Sequence, residues 1–502
     1  MATIPSSWEN CTLEDIAKII SGGTPKSTVK ENFCETGGVA WLTPADLSGY
    51  EAKTISKGKR NLTDVGYQSC SAKKMPKGSV LYSSRAPIGY VVIAENEIST
   101  NQGFKSFVPD EGIDSDYLYY YLKSIKHIAE AKATGTTFKE LSGTATKALP
   151  FVAPPANEQK RIVEKLASLL AQVDTIQQRL NNLPYIIKRF RQSVLAAAVS
   201  GKLTEQWRSE NSVSSIKELL NEVQKERTEL KKAKKLKPSF GKYDEVESIF
   251  ENSPNSWIWC CFDQISKNNN NSLKAGPFGS ALRKSDCTDS GYRVYGQEQV
   301  IAGDEKLVSY YIGDEKFAQL SACSVSSGDI LISLVGTIGK VLILSDEVEE
   351  GIINPRLVKL SLNERVNRDF IKYYLDSIYA KEFFGQFSHG GTMDILNLGI
   401  LKKLPIALPP VEEQTEIVRL VEQYFALADT LEKNLANAKQ RVDNLTQSIL
   451  AKAFKGELVP QDPNDEPADK LLERIKAARI EAEKLEKAAK ASAKKAAKAK
   501  KK

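Results

Sequence analysis

Histidine is nearly absent from this chain: His127 and His389 are the two copies in 502 residues. Imidazole titrates near neutral pH and is the commonest metal ligand. Two widely separated copies therefore leave little for histidine-based acid–base or metal chemistry. Cysteine is sparse and unpatterned. Cys11, Cys34, Cys70, Cys260, Cys261, Cys287 and Cys323 are odd in number and include no C-x-x-C pair. That argues against a zinc site and for a reducing compartment. No apolar run approaches the length of a membrane span, and no basic stretch with an apolar core opens the chain. A cytoplasmic protein without signal peptide or membrane segment is expected. Net charge is missing too, once the tail is set aside. The formal +7 equals the seven lysines of the last thirteen residues, Lys490, Lys494, Lys495, Lys498, Lys500, Lys501 and Lys502, which include no acid. Residues 1–489 are neutral overall, so any basic surface must come from local arrangement.

Catalytic motifs are the next absence. Asn182-Leu183-Pro184-Tyr185 is one proline short of an amino-methyltransferase loop, and no Gly-rich cofactor loop accompanies it. Gly336-Thr337-Ile338-Gly339-Lys340 ends like a phosphate loop, but that loop needs Gly where Leu334 stands and Ser or Thr where Val341 stands. Pro109-Asp110 with Glu130-Ala131-Lys132 fits a loose nuclease pattern. Glu130, however, continues a stretch that reads as helix, where such a site needs a strand.

What is present is a seam. Ile162, Leu166, Leu169, Val173, Ile176, Leu180, Leu183, Ile187, Phe190 and Val194 alternate spacings of four and three, the a/d rhythm of a coiled-coil helix. A shift of 255 gives Ile417, Val421, Tyr424, Ala428, Leu431, Leu435, Ala438, Val442, Leu445 and Ile449, all apolar. Letters repeat as well as pattern: Pro154-Pro155 with Pro409-Pro410, Glu158-Gln159 with Glu413-Gln414, Asp174-Thr175 with Asp429-Thr430, Gly201 with Gly456. This is an internal duplication, closed by glycines where a helix C-terminus favours left-handed backbone. About 45 residues at 1.5 Å each make a rod of roughly 65 Å. Pro184 cannot donate to the Leu180 carbonyl, so a kink or break is expected near Leu183 in the first rod only, Lys439 being the counterpart in the second.

The regions between the rods share a frame and differ in filling. Residues 1–150 read as a mixed α/β globule. Leu13 to Ile20 reads as a short helix or strand before the breaker Ser21-Gly22-Gly23-Thr24-Pro25. Val80-Leu81-Tyr82 and Tyr90-Val91-Val92-Ile93 read as strands, and Tyr117 to Ile128 as helix. Residues 241–408 repeat this plan: Trp257 answers Trp8, Ile330-Leu331 answers Val80-Leu81, and Gly390 and Thr392 answer Gly135 and Thr137. Residues 205–240 read as a surface helix followed by the basic run Lys231 to Lys237. A solvated linker is the plain reading of that run, and a phosphate contact the alternative. Leu471 to Lys487 reads as a second tail helix, followed by a frayed Ala/Lys end.

Two unlike globules on a duplicated frame, held by a helical hairpin, suit a duplex with two different half-sites. One DNA turn is about 34–36 Å, so such a rod could set half-site centres one to two turns apart. At this point the chain closely resembles the specificity subunits of type I restriction-modification systems, of the subclass A type. The residues that carry the resemblance include Pro154-Pro155-Ala156-Asn157-Glu158-Gln159 with Pro409-Pro410-Val411-Glu412-Glu413-Gln414, and Phe190-Arg191-Gln192-Ser193-Val194-Leu195 with Leu445-Thr446-Gln447-Ser448-Ile449-Leu450. In the globules they are Ser84-Arg85-Ala86-Pro87-Ile88-Gly89, Thr100-Asn101-Gln102-Gly103-Phe104 and Gly276-Pro277-Phe278-Gly279-Ser280.

The resemblance implies an α+β chain: two mixed α/β target-recognition domains joined by two long helices that form an antiparallel intramolecular coiled coil, in pseudo-two-fold arrangement. The expected boundaries are 1–155 and 241–410 for the recognition domains, 156–204 and 411–458 for the long helices, 205–240 for a helical, basic linker and 459–502 for the tail. It implies a non-catalytic DNA-specificity subunit of a host-defence system, reading a bipartite, asymmetric target in double-stranded DNA. Its partners would be two modification (methyltransferase) subunits and two restriction (translocase/endonuclease) subunits. S-adenosylmethionine, ATP and Mg would be used in those partners, with no cofactor and no metal in this chain. A coiled-coil scaffold binding proteins only is the competing reading. Candidate DNA contacts are Lys26, Lys57, Lys59, Arg60 and Arg85 in the first globule, and Lys274, Arg283, Lys284, Arg293 and Arg356 in the second. Arginine can hold guanine bidentately and lysine usually meets phosphate, although a single surface lysine is ordinarily just solvated charge.

Overall fold

The computed structural model describes residues 4–85, 87–135, 139–237, 246–307, 310–387 and 396–499. The Ala86, Thr137, His389, Gly390 and Thr392 positions lie outside them. The chain divides into two units, Met1–Asn181 with Asn437–Lys502, and Asn182–Ala436. The long helices Ala156–Val199 and Val411–Ala453 each contribute to both.

In the first unit, Glu9–Thr12 pairs antiparallel with Pro150–Ala153, bringing the two ends of the globule together just before the first long helix. The main sheet runs in the order Ala17–Ser21, Lys105–Pro109, Val80–Tyr82, Val91–Ala94, Thr54–Ile55. Its central strands Val80–Tyr82 and Val91–Ala94 are buried throughout, as aliphatic strands covered on both faces should be. The stretch from Leu13 is a helix and then a strand, Leu13–Ile16 followed by Ala17–Ser21. The Tyr-rich stretch divides into Ser115–Ser124 and Lys126–Lys132. Asp114 caps the first of these, its carboxylate accepting from the Asp116 and Tyr117 amides. Tyr117 and Tyr121 then pack edge-on against Phe151 and Phe454, so the end of the second long helix is bound into this globule's core. The tail helix Ala468–Ala499 adds Leu471 and Ile475 to the same core. It continues through the Ala/Lys end instead of fraying early, because alanine and lysine are both strong helix formers.

The second unit repeats this frame. Ile258–Cys261 pairs antiparallel with Pro405–Leu408. The main sheet runs Leu273–Ala275, Leu357–Leu360, Ile330–Ser333, Val341–Ile343, the order of the first unit without its fifth strand. A second sheet, Cys287–Thr288, Tyr311–Ile312, Tyr292–Tyr295, Gly351–Ile353, lies beside it in sequence. The helix expected on the surface is docked by one face, while the lysines of the Lys231 to Lys237 run stay exposed or half-buried. In Ile216–Lys232 the side chains of Ile216, Leu220, Val223 and Arg227 are buried. The Arg227 guanidinium donates to the Asp263 and Ser266 carbonyls and to Asn268. An amphipathic stripe that short reads as surface helix in sequence, yet it is spent on packing.

The long helices run antiparallel within each unit. In the second, Arg191 meets Asp429 at 2.6 Å and Glu432 at 3.3 Å, while Thr204, further along, meets Glu413 at 2.7 Å. In the first, Gln177 meets Asp443 at 3.1 Å and Arg161 meets Asp465 at 2.6 Å. Eleven seam residues are buried: Ile162, Leu166, Val173, Ile187, Val194, Ile417, Val421, Ala428, Leu435, Val442 and Ile449. Leu169, Leu180, Leu183, Phe190 and Ala438 are half-buried. Ile176, Tyr424, Leu431 and Leu445 are exposed. Two helices cover only one strip of each other, and the flank of that strip stays in water unless a third surface covers it. The first long helix also passes through Pro184 without a break; one missing hydrogen bond is not enough to end a helix held by packing at both ends.

Candidate nucleic-acid interface

Each globule is fixed to its long helix by the repeated Glu-Gln pair. Glu158 is buried and accepts from the Trp8 indole N–H at 2.9 Å and from Gln461 Nε2 at 2.5 Å. Glu413 is buried and accepts from the Trp257 indole at 2.9 Å, from Thr204 Oγ1 at 2.7 Å and from the Arg208 guanidinium at 2.7 and 2.9 Å. Gln159 Oε1 accepts from the amide of Asp114, and Gln414 Oε1 from the amide of Asn367, both at 2.8 Å. Asp114 and Asn367 are the N-caps of equivalent helices. Sequence reasoning matched Trp8 with Trp257 and Glu-Gln with Glu-Gln, but not to each other. Burial pushes the Glu158 carboxyl above its ordinary range, against the pull of its donors. Where the helices end, Gly201 at φ +79° and Gly456 at φ +77° abut Pro254 and Pro5, leaving no room for a Cβ.

With the globules so anchored, three motifs that are far apart in the first globule's sequence converge. The Gly23 amide donates to the Thr100 carbonyl at 2.9 Å, the Gly22 amide to Phe104 at 3.4 Å, and the Ser84 amide to Gly103 at 2.7 Å. Residues 100–104 are thus a hub between the turn at 22–25 and the turn at 84–89. Asn101 Oδ1 holds the hub's shape by accepting from the Gly103 amide at 2.9 Å. A Cβ on Gly22 would stand 1.9 Å from the Asn101 carbonyl, so glycine alone fits. The second globule builds the same hub. The Gly276 amide donates to Leu357 and the Leu334 amide to Arg356, both at 2.9 Å, and Asn354 Oδ1 accepts from the Arg356 amide at 2.9 Å. A Cβ on Gly276 would stand 1.8 Å from the Asn354 carbonyl. The hydroxyls of Ser83 and Ser333 close the neighbouring turns identically, donating to the Pro87 and Thr337 carbonyls.

The candidate cations distribute unevenly around these hubs. Lys26 is exposed at the end of the first turn. Gly23 in that turn accepts from the Trp41 indole at 3.1 Å, and the Arg60 guanidinium lies 3.9 Å from the Phe33 ring centre and 5.6 Å from that of Trp41. Lys57 and Lys59 are exposed on the Arg60 loop. Arg85 is half-buried and faces Glu140 at 3.6 Å. In the second globule Arg356 is exposed within the hub, and Arg283 and Lys284 are exposed just after the Gly276 turn. Lys274 is half-buried in its strand, opposite Lys359. Arg293 is a correction: it is 4% exposed, ion-paired with Glu349 at 2.6 Å and bonded to the Leu307 carbonyl. A guanidinium so enclosed serves the fold and reaches neither phosphate nor base. Beside the second hub, the Tyr310 hydroxyl bonds Asn354, and burial raises its pKa above the ordinary phenol value. Exposed guanidinium forks can hold guanine or phosphate bidentately.

The nuclease-like pattern does not form a site. Glu130 is helical, within Lys126–Lys132, and Asp110 is taken by Arg479. Among the described residues no group of three His, Cys, Asp or Glu could hold a metal, and no helix is long and apolar enough to cross a membrane.

Comparison with known proteins agrees with this geometry. The family model for the type I restriction modification DNA specificity domain matches residues 5–185 and 280–439. The type I restriction enzyme EcoBI specificity subunit of Escherichia coli is 30% identical over 495 residues, 95% of this chain and 94% of that one. The EcoKI specificity subunit of Escherichia coli K12 is 30% identical over 515 residues, 95% of this chain and 96% of that one. Among solved structures, the HsdS subunit of Thermoanaerobacter tengcongensis shares the fold at a TM-score of 0.56 and 17% identity, over 91% of this chain and 98% of that one.

Proposed function

The chain belongs to the type I restriction-modification DNA specificity family, and from that premise we propose that it reads a bipartite DNA target, one half-site per globule, on behalf of catalytic partners. It is a non-catalytic specificity subunit. The observation that carries the two-reader proposal is the hub, built twice with the same backbone and different side chains. A frame kept constant while its exposed residues change is what two different half-sites require; a scaffold binding only proteins would have no use for the difference.

The long helices set the spacing between half-sites and dock two modification subunits. In the second unit Tyr185 and Ile186 are 64% and 55% exposed on the first helix, and Tyr424, Leu427 and Leu431 are exposed on the second. Apolar side chains at that density support a protein contact. Adenine-N6 methylation with S-adenosylmethionine, and ATP- and Mg-dependent translocation and cleavage by two restriction subunits, belong to those partners.

The test is filter binding and methylation mapping with the reconstituted complex. Replacing residues 1–150 by another member's first globule should change one half-site only, and deleting turns from both long helices should change the spacer. Affinity should fall steeply with salt. A complex that binds its partners but shows no bipartite preference would leave only the protein scaffold.

A further inference from the structure

Phe278 is 84% exposed, the most exposed large hydrophobic side chain among the described residues. It is also rigidly presented. Gly276 is pinned to Leu357 by its amide, Pro277 is buried and fixes its own φ, and the Phe278 carbonyl accepts from the Ala281 amide at 3.0 Å. The ring therefore stands in water on a backbone tied down on both sides of it. The exposed cations Arg283 and Lys284 follow it within six residues, and the exposed Arg356 precedes the Leu357 carbonyl that holds Gly276; none of the three has a salt bridge among the described residues. The equivalent position of the first globule is Thr24, whose hydroxyl is turned onto Gln102. The aromatic is thus a property of one reader, set on the shared frame.

Resting on the two-reader function, we propose that Phe278 is a specificity-determining wedge that packs against a base step of the half-site read by the second globule. Lys274 before the ring and Arg283 and Lys284 after it put positive charge on both sides in sequence, which selects a polyanion as its occupant. A planar apolar group between basic residues suits a base face or an opened base step, which side chains such as Phe exploit in bent duplexes. Deformable steps such as TA or CA would accept it most readily, giving preference at a position with no hydrogen bond to the base.

The experiment uses the chain assembled with its modification subunits and duplexes carrying 2-aminopurine at each position of the target in turn. A fluorescence rise at one step of the second half-site is expected on binding, with none in the first half-site. Phe278→Ala should abolish that rise and weaken target binding about ten- to a hundredfold, with the salt dependence unchanged because no charge is lost. Phe278→Trp should keep the affinity, and its indole emission should change when DNA is added. Unchanged affinity and methylation in Phe278→Ala would overturn the proposal, as would a loss confined to assembly with the modification subunits. Failure of the two-reader function would look different, because the unsubstituted complex would then show no half-site preference at all.

Discussion

The two units solve one problem with different chemistry. Each buries a glutamate at the start of a long helix and offers it a tryptophan indole. In the first unit the remaining donor is a neutral amide, Gln461, and the cation nearby, Arg161, is paired instead with Asp465. In the second, Arg208 binds the glutamate directly, with Thr204 beside it. The first unit draws Gln461 and its tail helix from the far end of the chain, whereas the second draws its counterparts from the residues just before its globule. The difference teaches that the geometry of the junction is held constant while its charge is not. The hubs show the same division: constant glycine and asparagine backbone, with Arg356 and Phe278 in one globule where Gly103 and Thr24 stand in the other.

The largest expected effect breaks the junctions apart. Glu413→Ala leaves the largely buried Arg208 guanidinium without its carboxylate and should cost about 3–5 kcal/mol. Glu158→Ala leaves neutral donors unpaired and should cost about 1–3 kcal/mol. Urea unfolding of the full chain measures both, and equal losses would show that the charge is irrelevant. Next are the two hub arginines. Arg356→Ala should weaken target binding by about 1–3 kcal/mol and lower the salt dependence. Arg85→Ala should do less, because Glu140 already neutralises part of that charge. Titrating each variant complex against salt would decide, and a larger loss at Arg85 would reverse the assignment.

The smallest effect is a pH dependence. Burial raises the folded pKa of Glu158 above its ordinary 4.5, so the folded unit holds this proton more tightly than the unfolded chain. Its contribution is complete below 4.5 and is lost as pH rises through the folded value. Asp465, lowered by Arg161, has the opposite sign: its contribution is present above its ordinary 3.8 and disappears as pH falls through the folded value. The stability of the unsubstituted chain relative to Glu158→Gln should therefore improve as pH is lowered from neutral towards 4.5. Urea midpoints across that range provide the check; a gap that moves the other way would mean the carboxylate is stabilised where it sits.

Much of this was legible because it is periodic or repeated. The seam gave the two long helices, the 255-residue shift gave their kinship, and Gly201 and Gly456 marked their ends. Arg293 was not legible: a strand arginine between tyrosine and valine looks the same in sequence whether it faces water or Glu349. The break expected at Pro184 is absent because local propensity omits the packing that holds a helix on either side of a missing hydrogen bond. Ile216–Lys232 read as a surface helix, and the burial of its Ile216, Leu220, Val223 and Arg227 face was hidden because a charged helix shows its core-facing stripe only weakly.

By itself the sequence determined the elements and their duplication, since 3.6-residue periodicity, paired prolines and terminal glycines act over a few residues. Beyond the pairing of the two long helices, tertiary structure decided which of those elements meet. The hub joins residues 22–25, 84–89 and 100–104 through backbone amides and carbonyls, and every residue carries those groups alike, so no letter announces their pairing. The same holds for which arginines stay in water, because exposure belongs to the packed chain and not to the side chain.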